Sequence, residues 1–271
     1  MGDVSSQVLA SFEAREKYRY FRILVIGRAN AGKTTLLKRV CNTTEEPCIY
    51  DEKSNSLLEP TSERGIHDID RPFAFASNPQ FIFHDSPGFE TGDKSQLKKV
   101  QSFIEKRAKS TEVDDQLHAI WLLSLSRVIA LPNFWRRFCF IPNTARFLLD
   151  LEKNFFNEQR AGNIPVIAIF TKFDHLISQV YDANLEEDEN REVAERLLKD
   201  SLRAPLFEYK FPPRVDVCLE DMHDDDANHQ EQVKELIEKT AESLHDLALK
   251  ILFVSLQQNN LELCVKYVVQ S

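Results

Sequence analysis

The sequence predicts an α/β domain with a mostly parallel sheet and helices on both faces. Three near-continuous apolar segments, at residues 21–27, 118–124 and 164–170, have the composition of strands that are buried on both faces of a parallel sheet. Segments with helical periodicity separate them. Strands that alternate with helices form open sheets, and such sheets bind ligands at the carboxyl ends of their strands.

The sequence before and after the first strand predicts two helices and a loop. Residues 5–19 predict a short charged helix, and residues 34–41 predict a helix that begins where the loop after the first strand ends. The polar segment 42–64 shows little periodicity, so we expect a loop there and place a conformational switch in it.

The second half of the chain completes the sheet. Residues 73–76 and 81–84 predict two strands joined by a turn at 77–80, as a hairpin at the sheet edge. A last strand is predicted at 214–219. An acidic loop follows it, and the leucine-rich tail after the loop predicts helices that pack on the sheet.

Composition limits the classes of function. The chain has 271 residues, of which 42% are hydrophobic, so it can bury a sizeable core as one domain with insertions. Its net charge of −9 argues against general nucleic-acid binding, because phosphate backbones would be repelled. The five cysteines include no CxxC pair, which favours a reducing compartment, and we expect a cytoplasmic protein. No apolar run approaches the roughly 18 residues of a spanning helix, so we expect no transmembrane segment.

A phosphate-binding motif follows the first strand. Residues 27–34 read Gly-Arg-Ala-Asn-Ala-Gly-Lys-Thr, which satisfies GxxxxGK[ST] directly after a strand and at a helix start. Backbone N–H groups and the helix N-terminus of such a loop point at a bound anion. Lys33 would bridge the β- and γ-phosphates of a nucleotide, and the Thr34 hydroxyl would ligate Mg²⁺. The expected nucleotide-binding residues of this loop are Asn30, Ala31, Gly32, Lys33, Thr34 and Thr35.

A second motif, Asp85-Ser-Pro-Gly88, lies at the end of the predicted strand 81–84. An aspartate in this place reaches the metal ion of a bound nucleotide through a water molecule, and Gly88 offers its N–H to the γ-phosphate. We therefore predict Asp85 as a metal-site residue and Gly88 as a nucleotide-binding residue.

A third motif, Thr171-Lys172-Phe173-Asp174, ends a buried strand. The Asp174 carboxylate can accept two hydrogen bonds, from the ring N–H and the exocyclic amine of guanine, which adenine does not offer in that arrangement. The aliphatic part of Lys172 would cover the base. For the tetrapeptide alone, the alternative is an ordinary strand-to-helix connection with Asp174 as a helix cap.

Together the motifs resemble the translation-factor-related class of P-loop GTPases. The loop GRANAGKT is similar to the GxxNxGKS loop of tRNA-modification and ribosome-assembly GTPases. The box TKFD is similar to the TKxD box of several of these and of immunity-associated and septin-like GTPases. The resemblance covers about residues 21–219 and implies a G domain that binds a guanine nucleotide with Mg²⁺ and hydrolyses GTP. We expect a helical lead-in over 1–20, a G domain over 21–250 and a helical extension over 251–271.

Two parts of the family pattern are less clear in this chain. The switch threonine that ligates Mg²⁺ and senses the γ-phosphate is assigned to Thr61, with Ser62 as the alternative; Thr61 and Lys33 are the expected catalytic residues. The loop after the last strand reads Cys218-Leu219-Glu220 where the family has Ser-Ala-Lys. We therefore expect only a backbone contact to the base near Leu219.

The residue after the second motif is Phe89, where Ras-like enzymes carry a water-orienting glutamine. In the resembling families, a hydrophobic residue at this position goes with slow intrinsic turnover. Activation then comes from a partner, from a homodimer across the nucleotide face, or from K⁺. Asn30 matches the asparagine that helps to hold K⁺ in potassium-dependent members, although turn geometry also explains it. Arg28 and Arg64 are candidate arginine fingers, or simply solvated surface residues.

An insertion at about residues 127–149 is basic and aromatic in an acidic chain. It would form either a satellite core or a surface for an acidic partner, anionic lipid or a second copy of the domain.

The leading hypothesis is a regulatory GTPase that uses GTP and GDP and has a protein effector or activator that the sequence does not identify. The alternative is a nucleotide-gated binding or assembly module with little hydrolysis. A P-loop ATPase or kinase conflicts with Asp174.

Overall fold

The computed structural model describes residues 17–54, 56–58, 68–86, 94–125, 150–158, 162–224 and 228–256. Within them, eight strands form one sheet in the order β3-β2-β4-β5-β1-β6-β7-β8. The strands are β1 (Phe21–Gly27), β2 (Cys48–Asp51), β3 (Ser56–Leu57), β4 (Phe73–Phe75), β5 (Asn78–Ser86), β6 (Ala119–Leu125), β7 (Val166–Thr171) and β8 (Val215–Cys218).

Eight α-helices accompany the sheet in the described residues. They are α1 (Lys33–Val40), α2 (Lys94–Ala108), α3 (Asp150–Asn157), α4 (Phe173–Val180), α5 (Glu187–Leu198), α6 (Ala204–Phe207), α7 (Asn228–Ser243) and α8 (Leu247–Ser255). A 3₁₀ turn at Val113–Asp115 leads into β6, and a π-helical turn at Lys199–Arg203 joins α5 to α6.

The central part of the sheet is parallel. Strand β1 pairs in parallel with β5 on one side and β6 on the other, and β7 and β8 continue the parallel order. Strands β4, β2 and β3 add an antiparallel margin next to β5. All seven residues of β1 are buried, as expected for a central strand with both faces covered. The predicted α/β class, a mostly parallel sheet with helices on both faces, is confirmed.

Alternate side chains of each strand enter two cores. Ile23 and Val25 point into a core with residues of α1, α7 and α8, whereas Leu24 and Ile26 point into a core with residues of α2 to α5. The period of two along β1 therefore assigns its side chains to opposite faces of the sheet. The carboxyl ends of the parallel strands lie along one edge of this three-layer arrangement.

The tail helices pack on the sheet, as predicted. Leu236 of α7 and Leu252 of α8 are fully buried, and the ring of Phe253 lies 4.5 Å from that of Phe21 in β1. The Asp246 carboxylate caps α8 by accepting hydrogen bonds from the N–H groups of Ala248 and Leu249. Across the described part of the chain, no helix combines the length and apolarity needed to cross a bilayer.

Three predictions about the margin of the sheet were wrong. Segment 42–64 contains β2 and β3 rather than only a loop, because Cys48 and Tyr50 are buried against the neighbouring strands. The 73–84 hairpin exists, but β5 lies inside the sheet between β4 and β1, and β3 forms the edge. Its turn falls at Ala76 and Ser77, since Phe75 pairs directly with Asn78.

A buried charge cluster fixes the other end of β1. Arg22 is 2% exposed and donates to Glu52 at 3.0 Å, and Arg107 of α2 donates to the same carboxylate oxygen at 2.6 Å. His84 of β5 is fully buried beside Arg22. Burial, followed by the charge of Arg107, lowers the pKa of His84 to about 3.

Candidate nucleotide site

The phosphate loop connects the end of β1 to the start of α1. Two of its residues, Asn30 and Gly32, have positive φ values of 59° and 79°, which turn the chain into the helix. A Cβ atom at Gly27 would lie 3.0 Å from Leu123 Cβ and 3.4 Å from Lys33 Cδ, so glycine suits the close approach of β1, β6 and the loop lysine. Asn30, Gly32 and Gly27 shape the turn from β1 into α1.

Lys33 lies at the centre of this loop and is 8% exposed. Its ammonium group donates to the Gly27 carbonyl at 2.7 Å and to the Ser86 carbonyl at 3.3 Å. It also forms an ion pair with Asp85 at 3.2 Å. Because β1 and β5 are adjacent and parallel, with Val25 opposite Asp85, the first two motifs meet at the same edge of the sheet.

The described donor set fits a hard divalent cation. Thr34 is exposed at the start of α1, and the Asp85 side chain is 20% exposed beside Lys33. Hydroxyl and carboxylate oxygens are the ligand types that Mg²⁺ prefers. The remaining predicted residues at this end of the site, Thr61 with its alternative Ser62, Gly88 and Phe89, lie outside the described residues.

The third motif lies two strands away along the same edge. Thr171 ends β7 and donates to the Ser124 carbonyl of β6 at 3.4 Å. Lys172 is exposed with a positive φ of 59°, and Asp174 lies in the first turn of α4. The N-cap position of α4 is Lys172, so Asp174 is not the cap residue that the alternative interpretation required.

The Asp174 carboxylate faces the loop after β8. Its Oδ1 accepts a hydrogen bond from the backbone N–H of Asp221 at 3.2 Å. Leu219 is fully buried and joins this loop to the third motif, because its N–H donates to Phe170 O at 2.7 Å and its carbonyl accepts from Phe173 N–H at 3.1 Å. Leu219 therefore uses its backbone groups, and not its side chain, to join the loop to the third motif.

Side chains from two helices hold the start of the same loop. The Gln232 amide accepts from the backbone N–H of Glu220 at 2.8 Å and donates to the Glu220 carbonyl at 3.2 Å. The Glu220 carboxylate accepts from Arg191 at 2.8 Å, and this hydrogen bond raises the pKa of Arg191. Glu220 thus anchors the start of the loop after β8 through its side chain and its backbone.

The sequence interpretation missed an ion pair between the phosphate loop and α3. Arg28 donates to both oxygens of Glu152, at 3.1 and 2.8 Å, and the two side chains are 12% and 3% exposed. Arg28 is therefore not a solvated surface residue. The two residues are separated by 124 positions, so no local pattern could have paired them. Arg64 and the insertion at about 127–149 lie outside the described residues.

Comparison with known proteins agrees with this geometry. A family model described as a 50S ribosome-binding GTPase matches residues 22–129, a range that includes the phosphate loop and Asp85. The third motif and the loop after β8 lie beyond it. No curated protein matches the sequence.

Several solved structures align with this chain at low identity. The GDP-bound FeoB G domain of S. thermophilus is 14% identical with a TM-score of 0.42, and the alignment covers 83% of this chain and 61% of that one. A probable GTP-binding protein EngB is 17% identical with a TM-score of 0.40, covering 82% of this chain and 97% of that one. Translation elongation factor SelB of Methanococcus maripaludis is 12% identical with a TM-score of 0.37, covering 85% and 35%.

The sheet order, the meeting of Lys33 and Asp85 at the ends of adjacent strands, and the family match lead to one conclusion. This chain has the α/β fold of the P-loop GTPases, and its residues 22–129 match a GTPase family model.

Proposed function

We propose that this protein binds GTP and GDP with Mg²⁺, hydrolyses GTP slowly on its own, and acts as a regulatory switch. The observation that carries the proposal is the position of Lys33. It lies within a GxxxxGKT loop at the end of β1 and forms an ion pair with Asp85 at the end of β5, 3.2 Å away. A buried cation beside a metal-binding carboxylate is the pairing that a nucleotide triphosphate with its cation requires.

The chain's own residues would bind the phosphates by charge and by backbone donors. Lys33 would exchange its contacts with Asp85 and two carbonyls for phosphate oxygens, and would offset negative charge as the γ-phosphoryl group is transferred. The N–H groups of residues 30–35 would point at the same oxygens from the start of α1. Mg²⁺, held by Thr34 and Asp85 with Thr61 as the predicted third residue, would supply charge neutralisation between the phosphates.

Guanine selectivity is assigned to the other end of the site. Asp174 offers carboxylate oxygens that match the two N–H donors on the guanine edge, and an adenine base would leave them unpaired. The backbone around Leu219 lies next to Asp174 through the hydrogen bonds to Phe170 and Phe173, so it would border the base. Lys172 is exposed and its aliphatic part would cover the ring.

Slow turnover is proposed because Phe89 carries no group that can orient water. Full activity would then need a protein activator, a homodimer across the nucleotide face, or K⁺ beside Asn30.

A cytoplasmic location stays a prediction from the cysteine pattern. The alternative function, a nucleotide-gated assembly module, shares every binding residue and differs only in turnover.

Steady-state GTP hydrolysis over a range of protein concentrations, in matched K⁺ and Na⁺ buffers, tests the proposal. Lys33→Ala serves as the blank, and Lys38→Ala is the matched control, because Lys38 lies on the same helix and pairs instead with Glu46. Specific activity (turnover per protein molecule) that exceeds the blank and rises with protein concentration, or that exceeds the blank only in K⁺, supports a self-activating enzyme.

GTP that binds without turnover above the blank in either salt would remove autonomous hydrolysis. That result favours a partner-activated switch or the assembly module. Failure of the wild type to bind GTP at all would reject both functions.

A further inference from the structure

The helix that begins at the phosphate loop also contacts the loop next to Asp174. Arg39 lies in the last turn of α1, and its guanidinium donates from Nε to the Met222 carbonyl at 3.2 Å and from NH2 to the Asp224 carbonyl at 2.8 Å. Both acceptors belong to the loop between β8 and α7. The planar fork of an arginine suits two such acceptors because its donors are fixed relative to each other.

The two carbonyls lie close in sequence to the group that contacts Asp174. The backbone N–H of Asp221, one residue before Met222, donates to Asp174 Oδ1 at 3.2 Å. Asp221 has a positive φ of 50°, so the chain turns sharply at the residue that makes this contact. A displacement of Met222 would therefore move the donor that orients the Asp174 carboxylate.

Charge makes this loop depend on a cation. Asp174, Glu220 and Asp224 lie near Asp221, and the pKa of Asp221 is raised by burial and then by the charges of these three carboxylates. Arg191 offsets Glu220 on the α5 side of the loop. Arg39 brings positive charge from the α1 side, where it also bonds the backbone.

We propose that Arg39 is a positioning residue for guanine recognition. It holds the loop 219–224 against Asp174, and it connects the base-binding end of the site to the helix that starts at Lys33. This inference rests on the proposed guanine-nucleotide binding. Arg39 is six positions after Lys33, about 9 Å along the helix axis, so α1 links the two ends of the site as a rigid element.

Titration calorimetry of Arg39→Met with GDP and with IDP, which lacks the exocyclic amine, tests the role. Loss of the two hydrogen bonds should raise the Kd for GDP about tenfold. The preference for GDP over IDP should fall, because a carboxylate that has lost its orienting donor no longer pairs with both guanine N–H groups. Arg39→Lys should recover part of the affinity, since a lysine can reach one carbonyl.

Lys38→Met is the matched control. It removes the same charge from the same helix, but Lys38 contacts the Thr44 carbonyl and Glu46 instead of the loop. This variant should keep wild-type GDP affinity and preference. The thermal midpoint of each variant, measured without nucleotide, shows whether the fold is kept.

Three results would overturn the inference. They are an Arg39→Met variant with unchanged GDP affinity, an equal loss of affinity for GDP and IDP, and an effect of Lys38→Met as large as that of Arg39→Met. In each case a wild type that binds GDP leaves the proposed function intact. A wild type that does not bind GDP rejects the proposed function and this inference with it.

Discussion

Arg28 and Glu152 join the phosphate loop to α3 through two hydrogen bonds, and they differ in their access to water. The Glu152 side chain is 3% exposed, whereas that of Arg28 is 12% exposed. Replacing Arg28 with methionine removes the cation and leaves a carboxylate that water does not reach. Breaking a buried pair in this way costs about 3–5 kcal/mol, which would lower the thermal midpoint of a domain of this size by roughly 10 °C.

Removing the carboxylate instead of the cation should lower the free energy of unfolding by less. In Glu152→Leu, the guanidinium lies nearer the surface and can turn toward solvent, so we expect a loss of about 1–3 kcal/mol. The double variant Arg28→Met with Glu152→Leu buries no charge and should recover most of the loss, because apolar pairs of similar volume replace buried ion pairs at little cost.

Urea unfolding of the four proteins, followed by circular dichroism, measures these differences as a double-mutant cycle. A coupling free energy of about 2 kcal/mol or more supports a desolvated pair. A coupling below about 0.5 kcal/mol, with equal m-values, would refute the reasoning and show that Arg28 is in effect a surface residue.

Three further predictions concern the core, the base and pH. Burial lowers the pKa of both His84 and His118 to about 3 from an ordinary value of 6.5, so the unfolded chain binds more protons between these pH values. Stability should therefore fall as pH is lowered through this window, by up to about 1.4 kcal/mol per pH unit for each ring, and urea unfolding that is independent of pH from 7 to 5 would contradict this. Asp174→Asn should weaken GTP binding and favour xanthosine triphosphate, because the C2 oxygen of xanthine accepts a hydrogen bond from the new amide. Competition binding measures the ratio of the two affinities, and an unchanged preference for GTP would place guanine recognition elsewhere. Trp121→Ala should lower the free energy of unfolding in urea by about 3–5 kcal/mol, because the ring is fully buried in the core of α1, α7 and α8. A loss below about 1 kcal/mol would contradict this and show that the surrounding side chains collapse into the cavity.

The local sequence pattern was enough to predict the central strands. Strands β1, β6 and β7 read as apolar runs because both of their faces are covered, and the motifs at their ends follow from strand polarity. The meeting of Lys33 with Asp85 is a consequence of the adjacent and parallel positions of β1 and β5.

The margin of the sheet was not predictable in the same way. Strand β2 has four residues, of which only Cys48 and Tyr50 are buried, and it forms by pairing with β4 about 25 positions later. A strand this short has no signal of its own and depends on tertiary contact. The hairpin of β4 and β5 likewise does not form the edge of the sheet, because β2 and β3 cover the side of β4 that would otherwise be free.

Polar residues with distant partners account for what was missed at the site. Arg28 finds Glu152 across 124 positions, and Arg39 finds Asp224 across 185. A charged residue next to a motif has the same appearance in a sequence whether it is solvated or paired. Only the fold shows that these two arginines anchor the phosphate loop to α3 and α1 to the loop near Asp174.

The most direct test of the account is competition between GTP and ATP for the wild-type protein and for Lys33→Ala, with a fluorescent GDP analogue as the bound probe and Mg²⁺ present. GTP should displace the probe from the wild type, ATP should compete at least about a hundredfold less well, and Lys33→Ala should retain little probe. Equal displacement by ATP, or undiminished binding by Lys33→Ala, would contradict the assignment of guanine recognition to Asp174 and of phosphate binding to the loop at the end of β1.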